Sequence, residues 1–253
     1  MKELVSIVKN NKQLARSIYA MTVTLPEEVP VRGGQFLNIS TGNPAHLLKR
    51  PFGIMRKEGC DVTFCYQIKG EGTVCLSNAK AGDKLAVTLP LGNGFDIPQS
   101  AQNVAVVGGG VGIFPLLSVI ESVKGKQYYS YIGFRGAEYA CLTDDFKAAS
   151  KKLTVVTDDG SIGAKTNAVS AFLCEYEEVK PDLIISCGPP VMLRALKAQL
   201  NDRGISTPCL VSLEERMGCG IGACLVCVCK TSDGQNARVC KDGPVFDINE
   251  VEI

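Results

Sequence analysis

The sequence predicts a chain in three parts: an antiparallel β-barrel, an α/β domain built on a parallel sheet, and a small cysteine-rich C-terminal subdomain. Residues 1–98 contain short runs that alternate apolar and polar side chains between glycine turns, which predicts the barrel. Strand-like and helix-like segments alternate over residues 99–208, as in proteins with a parallel sheet. Residues 209–253 begin with one more strand-like run and then gather cysteines around a glycine-rich loop.

The composition is that of an ordinary soluble globular protein. Of the 253 residues, 45% are hydrophobic and 21% are charged, and the formal net charge is +1. A chain so close to neutral gives no electrostatic case for binding nucleic acid or a membrane surface. No stretch approaches the length of a membrane span, and charges interrupt the apolar runs at the start, so no signal peptide is predicted. We therefore expect a cytoplasmic protein, in which clustered cysteines bind metal more often than they form disulfides.

The barrel prediction depends on two segments with a clear strand pattern. Residues 61–68 and residues 85–89 alternate apolar and polar side chains with the period of a half-buried strand. Residues 73–80 interrupt this pattern and predict a short helix. Residues 90–102 carry Gly, Pro and Asn but few long apolar side chains, and they are the predicted linker to the next domain.

Arg50-Pro51-Phe52-Gly53 is the first of two motifs in the barrel that could bind an anion. An Arg at a strand end can clamp a diphosphate, because its planar guanidinium donates two hydrogen bonds and stays charged. Pro51 favours an extended backbone at Arg50. Taken alone, an Arg-Pro pair is more often a solvated surface feature than a binding site.

Gly70-Glu71-Gly72-Thr73 is the second motif, and it stands between a predicted strand and the short helix. Backbone N–H groups at a glycine-rich helix entrance form an anion site. The alternative is a plain turn in which Thr73 caps the helix. The two motifs together predict an anion site more strongly than either does alone.

A strand, a glycine-rich turn and a helix open the α/β domain. Val104–Val107 is a continuous apolar run, as in a buried parallel strand, and Gly108-Gly109-Gly110-Val111-Gly112 follows it. Residues 113–120 then show helical periodicity, so the turn would present a helix N-terminus to a phosphate. Residue 113 is Ile, and the full dinucleotide-binding glycine pattern is therefore missing.

The next elements support the parallel sheet. Strands are predicted over residues 128–132, 153–157 and 183–186, and helices over residues 166–175 and 190–200.

Cys187-Gly188-Pro189-Pro190 follows the last of these strands. Gly188 would let a ligand ring approach the backbone, with Cys187 as a compact neighbour for a nicotinamide. A strand-to-helix turn without a ligand explains the motif equally well.

The cysteine loop predicts an iron–sulfur cluster. Cys219, Cys224, Cys227 and Cys240 follow the pattern C-x4-C-x2-C-x12-C, and the first three have the spacing of a loop that wraps a [2Fe–2S] cluster. Glycines between them suit a backbone that must turn sharply near the cluster. A zinc site or a set of buried thiols are the alternatives, although zinc sites usually pair two short cysteine units. Cys229 is a fifth thiol nearby, but only Cys227 keeps the x2 spacing.

Over nearly its whole length the chain resembles the electron-transfer subunits of NAD-dependent (class 1B) dihydroorotate dehydrogenases, which belong to the ferredoxin–NADP reductase superfamily. The two cysteine-bearing C-terminal motifs are the most specific part of the resemblance. The motifs that carry it are Arg50–Gly53, Gly70–Thr73, Pro90–Phe95, Gly108–Gly112, Thr157–Ser161, Cys187–Pro189, Cys219–Cys224 and Arg238–Phe246.

The resemblance implies a cofactor for each part of the chain. It makes residues 1–98 an FAD-binding barrel, residues 99–208 an NAD-binding domain and residues 209–253 a [2Fe–2S] subdomain. Members of this family usually carry Ser where Gly53 stands, so a hydroxyl near the flavin is absent here. The implied FAD residues are Arg50, Pro51, Phe52, Gly53, Cys65, Tyr66, Gln67, Gly72 and Thr73. The implied NAD residues are Gly108, Gly109, Gly110, Gly112, Cys187 and Gly188, and the implied cluster ligands are Cys219, Cys224, Cys227 and Cys240.

The same resemblance implies the function. A partner subunit with its own FMN would oxidise dihydroorotate in pyrimidine biosynthesis, and two subunits of each kind would form a heterotetramer. Electrons would pass through the [2Fe–2S] cluster and FAD to NAD, and no catalytic side chain is predicted here because the flavin supplies the chemistry. Another FAD/[2Fe–2S] reductase subunit of the superfamily is the main alternative, and a non-enzymatic redox sensor is a further one. Arg135 leaves the choice between NAD and NADP open.

Overall fold

The computed structural model describes all 253 residues. Its N-terminal part is a closed antiparallel barrel. Its strands are β1 Lys2–Ala15, β2 Ile18–Thr24, β3 Phe36–Ile39, β4 Arg50–Glu58, β5 Asp61–Gln67 and β6 Lys84–Leu91. They follow one another around the barrel in the order β1-β2-β5-β4-β3-β6. The predicted barrel is confirmed, and the strand expected at residues 61–68 is β5.

Alternating side chains of these strands fill the barrel interior. Phe64 and Tyr66 on β5 pack with Leu37 on β3 and Val87 on β6, and all four are almost completely buried. Helix α1, Glu71–Ser77, lies between β5 and β6 and confirms the short helix expected near residues 73–80. It begins earlier than predicted because its N-cap is Gly70, which has an extended backbone.

The second part is a six-stranded sheet covered by helices. Five strands run parallel, as predicted, and are β7 Asn103–Gly109, β8 Gln127–Phe134, β9 Lys152–Thr157, β10 Leu183–Cys187 and β11 Cys209–Ser212. The helices are α2 Ile113–Ser122, α3 Thr143–Ala149, α4 Ala168–Cys174, α5 Tyr176–Val179 and α6 Pro190–Asp202. Residues 110–112 form a 3₁₀ turn between β7 and α2, where the glycine-rich turn was expected.

The third part is bounded by strands that belong to the sheet. Strands β12 Val228–Lys230 and β13 Asn236–Arg238 form a small ribbon, and β14 Val245–Asp247 pairs antiparallel with β11. The sheet order is β14-β11-β10-β7-β8-β9, so the chain leaves the sheet after β11 and returns to it at β14. The cysteine loop is therefore held at the edge of the sheet from both of its ends.

Helix α2 joins the barrel to the sheet. Arg56 on β4 donates from Nε to Glu121 Oε2 on α2 at 2.6 Å, and from a terminal nitrogen to Asp145 Oδ1 on α3 at 2.6 Å. A Cβ built on Gly53 would lie 3.3 Å from Pro115 Cβ, so β4 and α2 pack closely at that point.

None of the helices is long and apolar enough to cross a membrane.

The connection between the barrel and the sheet also contacts the cysteine subdomain. Strand β6 extends to Leu91, so the linker begins at residue 92 and not at residue 90. The Asn93 N–H donates to Gly243 O at 2.7 Å, and the Asn93 side chain donates to Asp242 O at 3.1 Å. All three parts of the chain therefore meet near the end of β6.

Candidate functional site

A cavity of about 260 Å³ lies where the barrel, the sheet and the cysteine subdomain meet. Strands β4 and β5 form its barrel wall, while the start of α2 and the end of β11 form the opposite wall. Its largely apolar surface suits a flat aromatic ligand. The predicted residues that line it are Pro51, Phe52, Gly53, Cys65, Tyr66, Gln67, Thr73 and Cys187.

The aromatic part of this wall is neutral and tightly packed. Tyr66 and Phe52 have ring centroids 5.5 Å apart, and Tyr66 Oη donates to Asn11 Oδ1 at 2.9 Å. Burial raises the pKa of Tyr66 to about 12, and burial also raises the pKa of the Cys65 thiol, which lies 3.3 Å from Met55 Sδ. These groups form a surface for a ring and do not ionise near neutral pH.

The two anion-binding motifs predicted in the barrel contact each other. A Cβ built on Gly72 would lie 2.5 Å from Arg50 Nε and 2.8 Å from a terminal nitrogen, so the guanidinium fills the space that a side chain at residue 72 would need. A charged fork beside a helix entrance is a suitable site for a diphosphate. The residues present therefore fit the pyrophosphate of FAD.

Thr73 stabilises the turn that holds Gly72. Its Oγ1 accepts hydrogen bonds from the N–H groups of Lys69 and Gly70 and donates to Gly70 O at 2.8 Å. Thr73 is not the N-cap considered as an alternative, because Gly70 holds that position. Thr73 is the third residue of the helix, its hydroxyl accepts a hydrogen bond from the N-cap N–H, and the residue also lines the cavity.

A second cavity opens beside the first and is surrounded by glycines. Gly109, Gly110, Gly112 and Gly188 line it, together with the first residues of α6. Gln67, Lys69, Val111 and Glu214 line both cavities, so the two spaces adjoin. A nicotinamide in the second cavity could therefore approach a flavin in the first.

Only glycine fits at residue 112, where the two turns approach each other. A Cβ built on Gly112 would lie 2.5 Å from the Cys187 carbonyl carbon and oxygen, whereas one on Gly188 would lie 2.5 Å from Met192 Cε, the end of a flexible side chain. Cys187 is almost completely buried, and burial raises the pKa of its thiol.

Gly108 does not line either cavity. It faces α2, where a Cβ would meet Ile113 and Leu116 side-chain atoms at 3.0 Å. The structure therefore places Gly108 in helix–strand packing.

Glu214 and Lys69 are not predicted from the sequence, and both stand where the two cavities join. Glu214 is exposed to solvent within the cleft. The cleft walls nevertheless surround its carboxyl, and this partial burial raises its pKa, whereas the positive charge of Lys69 lowers it. The position of Glu214 directly after strand β11 is the signal that could have identified it, because ligands bind at the carboxyl ends of parallel strands.

The cysteine loop presents its sulfurs to backbone N–H groups. Each of the predicted ligand sulfurs accepts one such hydrogen bond, which favours thiolates. Gly220 and Gly222 have φ values of +72° and +82°, a left-handed backbone that favours glycine. The bonds run from Ile221 N to Cys219 Sγ at 3.4 Å, from Cys219 N to Cys224 Sγ at 3.4 Å, from Cys240 N to Cys227 Sγ at 3.4 Å and from Gly222 N to Cys240 Sγ at 3.1 Å.

The sulfurs are arranged as two neighbouring pairs. Burial opposes ionisation of Cys219, but hydrogen bonds from the Ile221 N–H and from Cys224 lower the pKa of its thiol to about 6. Burial and the adjacent Cys227 thiol raise the pKa of Cys240 to about 12. No group of three or more His, Cys, Asp or Glu side chains lies in an arrangement that could hold a metal ion. Two pairs suit a [2Fe–2S] cluster better than one zinc ion, because each iron takes two thiolates.

The adjoining cavities and the cysteine loop define a class of protein, the iron–sulfur reductases with a ferredoxin-reductase fold. Residues 214–252 match the family model described as the iron-sulfur cluster binding domain of dihydroorotate dehydrogenase B. This match begins at the acidic residue between the cavities and includes all the predicted cluster ligands.

Curated relatives match the full chain. It is 40% identical to the dihydroorotate dehydrogenase B (NAD(+)) electron transfer subunit of Caldanaerobacter subterraneus subsp. tengcongensis, with 96% of each chain covered. It is 38% identical to the Bacillus pumilus subunit of the same name, with 100% of this chain and 99% of the relative covered. The chain belongs to the family of electron-transfer subunits of dihydroorotate dehydrogenase B.

Solved structures share the fold. An NADH-dependent reduced ferredoxin-NADP oxidoreductase is 29% identical, with a TM-score of 0.86 over 98% of this chain and 89% of that one. Phthalate dioxygenase reductase is 18% identical, with a TM-score of 0.68 over 91% of this chain and 87% of that one. The second likeness concerns the fold alone.

Proposed function

We propose that this chain carries electrons from the FMN-containing catalytic subunit of a dihydroorotate dehydrogenase to NAD+, using a [2Fe–2S] cluster and FAD. When bound, these groups supply the electron- and hydride-transfer chemistry, and the protein binds and orients them. One observation carries the proposal: the larger cavity adjoins both the glycine-lined cavity and the cysteine subdomain. Phe36 lines the larger cavity and also packs in one apolar cluster with Cys227 and Cys240.

The barrel residues have distinct proposed roles toward FAD. Arg50 binds the pyrophosphate, and Gly72 leaves the space that the guanidinium occupies. Phe52, Tyr66 and the backbone of Gly53 form the wall against which the ring lies. Pro51, Cys65, Gln67 and Thr73 complete this lining.

The glycine-lined cavity is the proposed NAD site. Gly109, Gly110 and Gly112 give the dinucleotide close access to the backbone at the start of α2. Gly188 and Cys187 bring the nicotinamide next to the flavin wall, and Gly108 acts only through packing. Cys219, Cys224, Cys227 and Cys240 are the proposed ligands of the cluster.

A matched pair of substitutions tests the preference for NAD over NADP. A Cβ built on Gly136 would lie 2.7 Å from both Asp159 Oδ2 and Glu138 Oε2, so two carboxylates flank the turn after Arg135, which lines the NAD cavity. Hydrogen bonds from the Ser161 hydroxyl and N–H lower the pKa of Asp159, which is therefore anionic at neutral pH. Such a carboxylate accepts a hydrogen bond from a ribose hydroxyl and repels a 2′-phosphate.

We expect Asp159→Asn to raise the ratio of kcat/KM for NADPH to that for NADH several-fold, because the variant lacks the negative charge that repels a 2′-phosphate. Steady-state dye-reduction kinetics with each nucleotide measure the ratio. The neighbouring Asp158→Asn is the control and is expected to leave it unchanged. An equal change in both variants would exclude a specific role for Asp159.

Exposed apolar side chains around the cysteine loop form the proposed contact with the catalytic subunit. They surround the cluster ligands, and isolated soluble proteins seldom expose such a group of neighbours. Electron transfer also requires the cluster to face the donor. The set comprises Ile221, Leu225, Val226 and Val228, with exposures of 44%, 63%, 53% and 37%.

We expect Val226→Glu to weaken binding of the catalytic subunit at least about tenfold, because a charge would be buried in the interface. Isothermal titration calorimetry gives the affinity, and iron and flavin contents show that the chain is intact. Val5→Glu is the control, since Val5 is similarly exposed on the barrel. Equal binding by both variants would place the partner elsewhere.

The proposed heterotetramer contains two subunits of each kind, and light scattering of the complex tests this stoichiometry.

The isolated chain tests the half of the function that needs no partner. Loaded with FAD and iron, it is expected to reduce an artificial dye with NADH as the electron source. A chain that retains both cofactors but does not oxidise NADH would contradict the proposal and favour a sensor. The proposed location is the cytoplasm, where clustered cysteines bind metal more often than they form disulfides.

A further inference from the structure

Leu225 has a strained backbone that packing inside the chain does not offset. Its φ is +55°, in the left-handed region that bulky residues rarely adopt because Cβ comes too close to the backbone. The residue is 63% exposed, so its side chain gains little from contacts within the chain. Glycine at residue 225 would remove both the strain and the exposed apolar surface. A strained residue that serves no internal packing is a candidate for a functional contact.

The other non-glycine residues with a positive φ each have a local reason for it. Leu142 is the N-cap of α3, and its side chain packs against the apolar core of the molecule. Ser17 is a small residue in the turn between β1 and β2, and its hydroxyl donates to Arg16 O at 2.7 Å. Lys180 ends helix α5, where a left-handed residue is common. Leu225 differs from all three because its side chain is apolar and mostly exposed.

Leu225 directly follows Cys224, on the side of the cysteine loop that solvent reaches. Cys224 is exposed, whereas Cys227 and Cys240 are buried. The two buried cysteines pack in one apolar cluster with Phe36, which lines the flavin cavity. The Cys224 side of the loop is therefore the side that a second protein can approach, and the buried pair is the side nearest the flavin cavity.

We propose that Leu225 is the main anchor of the cysteine loop on the catalytic subunit, and that its side chain enters an apolar pocket of that subunit beside Cys224. This inference rests on the proposed function, since it takes the catalytic subunit as the partner. Binding energy at an interface is concentrated in a few side chains that fill pockets near its centre. The left-handed backbone fixes the loop at Leu225 before the subunits meet, which reduces the ordering that docking requires. Burial of the side chain in the complex then offsets the strain.

Calorimetric titration of the loaded chain with the catalytic subunit tests the proposal. We expect Leu225→Gly to weaken binding at least about tenfold, as truncation of an interface anchor does. Its iron content is expected to stay the same and its melting temperature not to fall, because glycine relieves the backbone strain. A residue needed only for the structure of the loop would show the opposite pattern, with loss of iron or stability and unchanged affinity. Leu225→Met keeps an apolar side chain of similar volume and is expected to retain most of the affinity.

Lys180→Gly is the control for relief of a left-handed backbone. Lys180 precedes the amino end of β10, whereas Cys187 at the carboxyl end of the same strand lines the flavin cavity. This variant is therefore expected to bind the catalytic subunit like the unaltered chain.

Leu225→Asn covers the case in which Leu225→Gly loses iron. Asparagine also tolerates the left-handed backbone but offers no apolar side chain, so the same loss of affinity is expected. Full affinity in Leu225→Gly or Leu225→Asn, with Val226→Glu still weakened, would overturn the role of Leu225 alone. Failure of the unaltered chain to bind the catalytic subunit would overturn the proposed function and, with it, this proposal.

Discussion

Cys227→Ser is expected to abolish the iron–sulfur cluster while FAD stays bound. Cys227 is almost completely buried beside Cys240, so its loss removes one member of a sulfur pair. Because the position is buried, a ligand from solvent cannot easily replace the missing thiolate. A serine hydroxyl is a hard, weakly acidic donor and does not replace a thiolate on iron. We expect dihydroorotate-dependent NAD reduction by the complex to fall at least about 100-fold, whereas NADH-driven dye reduction keeps most of its rate, since the flavin and nicotinamide sites are untouched. Iron content and both assays measure the effect.

Cys229→Ser is the matched control for this result. Cys229 lies on β12 and packs against the same core, but its position does not fit the ligand spacing. We expect this variant to keep its iron and both activities. Loss of iron in Cys229→Ser with retention in Cys227→Ser would reverse the ligand assignment.

Gly72→Ala is expected to release FAD. A methyl group at residue 72 would stand 2.5 Å from Arg50 Nε, so the guanidinium must shift from its place beside the helix entrance. Charge-assisted hydrogen bonds of this kind contribute about 1.5–3 kcal/mol, which predicts a loss of FAD affinity of about 10- to 100-fold. Fluorescence titration of the flavin-free chain with FAD gives the dissociation constant.

The control lies in the same turn. Gly70 has an extended backbone, and a Cβ there would meet nothing within 4 Å. Gly70→Ala is therefore expected to bind FAD like the unaltered chain. If Gly72→Ala bound FAD as tightly as Gly70→Ala, Arg50 would not be the pyrophosphate ligand in the position that the structure gives it.

Much of the fold could be predicted from local patterns. The alternation over residues 61–68 predicts β5, because side-chain direction in a strand has a period of two. The apolar run at residues 104–107 and its glycines predict β7 and the start of α2, because both depend on neighbours in sequence. The spacing of the cysteines likewise identifies the loop, since its first three ligands are close along the chain.

Contacts between distant elements could not be predicted in this way. The Arg50 guanidinium fills the space above Gly72 only because the barrel brings the start of β4 next to the entrance of α1. Glu214 joins the two cavities because β11 lies beside β10 in the sheet. Asn38 on β3 has no sequence signal, and its amide nitrogen lies against Gly220 only because β3 and the cysteine loop are packed together.

Two glycines of the same run have different roles. Gly108 and Gly112 belong to the same run, but Gly108 serves the packing of α2 and Gly112 allows the backbone at Cys187 to approach. The strand places the first glycine toward the helix and the turn places the second toward β10. Sequence alone does not show where the strand ends and the turn begins.

The electron-transfer role is tested most directly by mixing the loaded chain with the catalytic subunit and adding dihydroorotate and NAD+ without oxygen. We expect NADH to form at a rate that depends on the amount of this chain, and no NADH to form when the chain is omitted. Suppose instead that the two subunits bind and the chain oxidises NADH with a dye, yet dihydroorotate produces no NADH. That result would contradict the account and assign the chain to another reductase complex with the same fold.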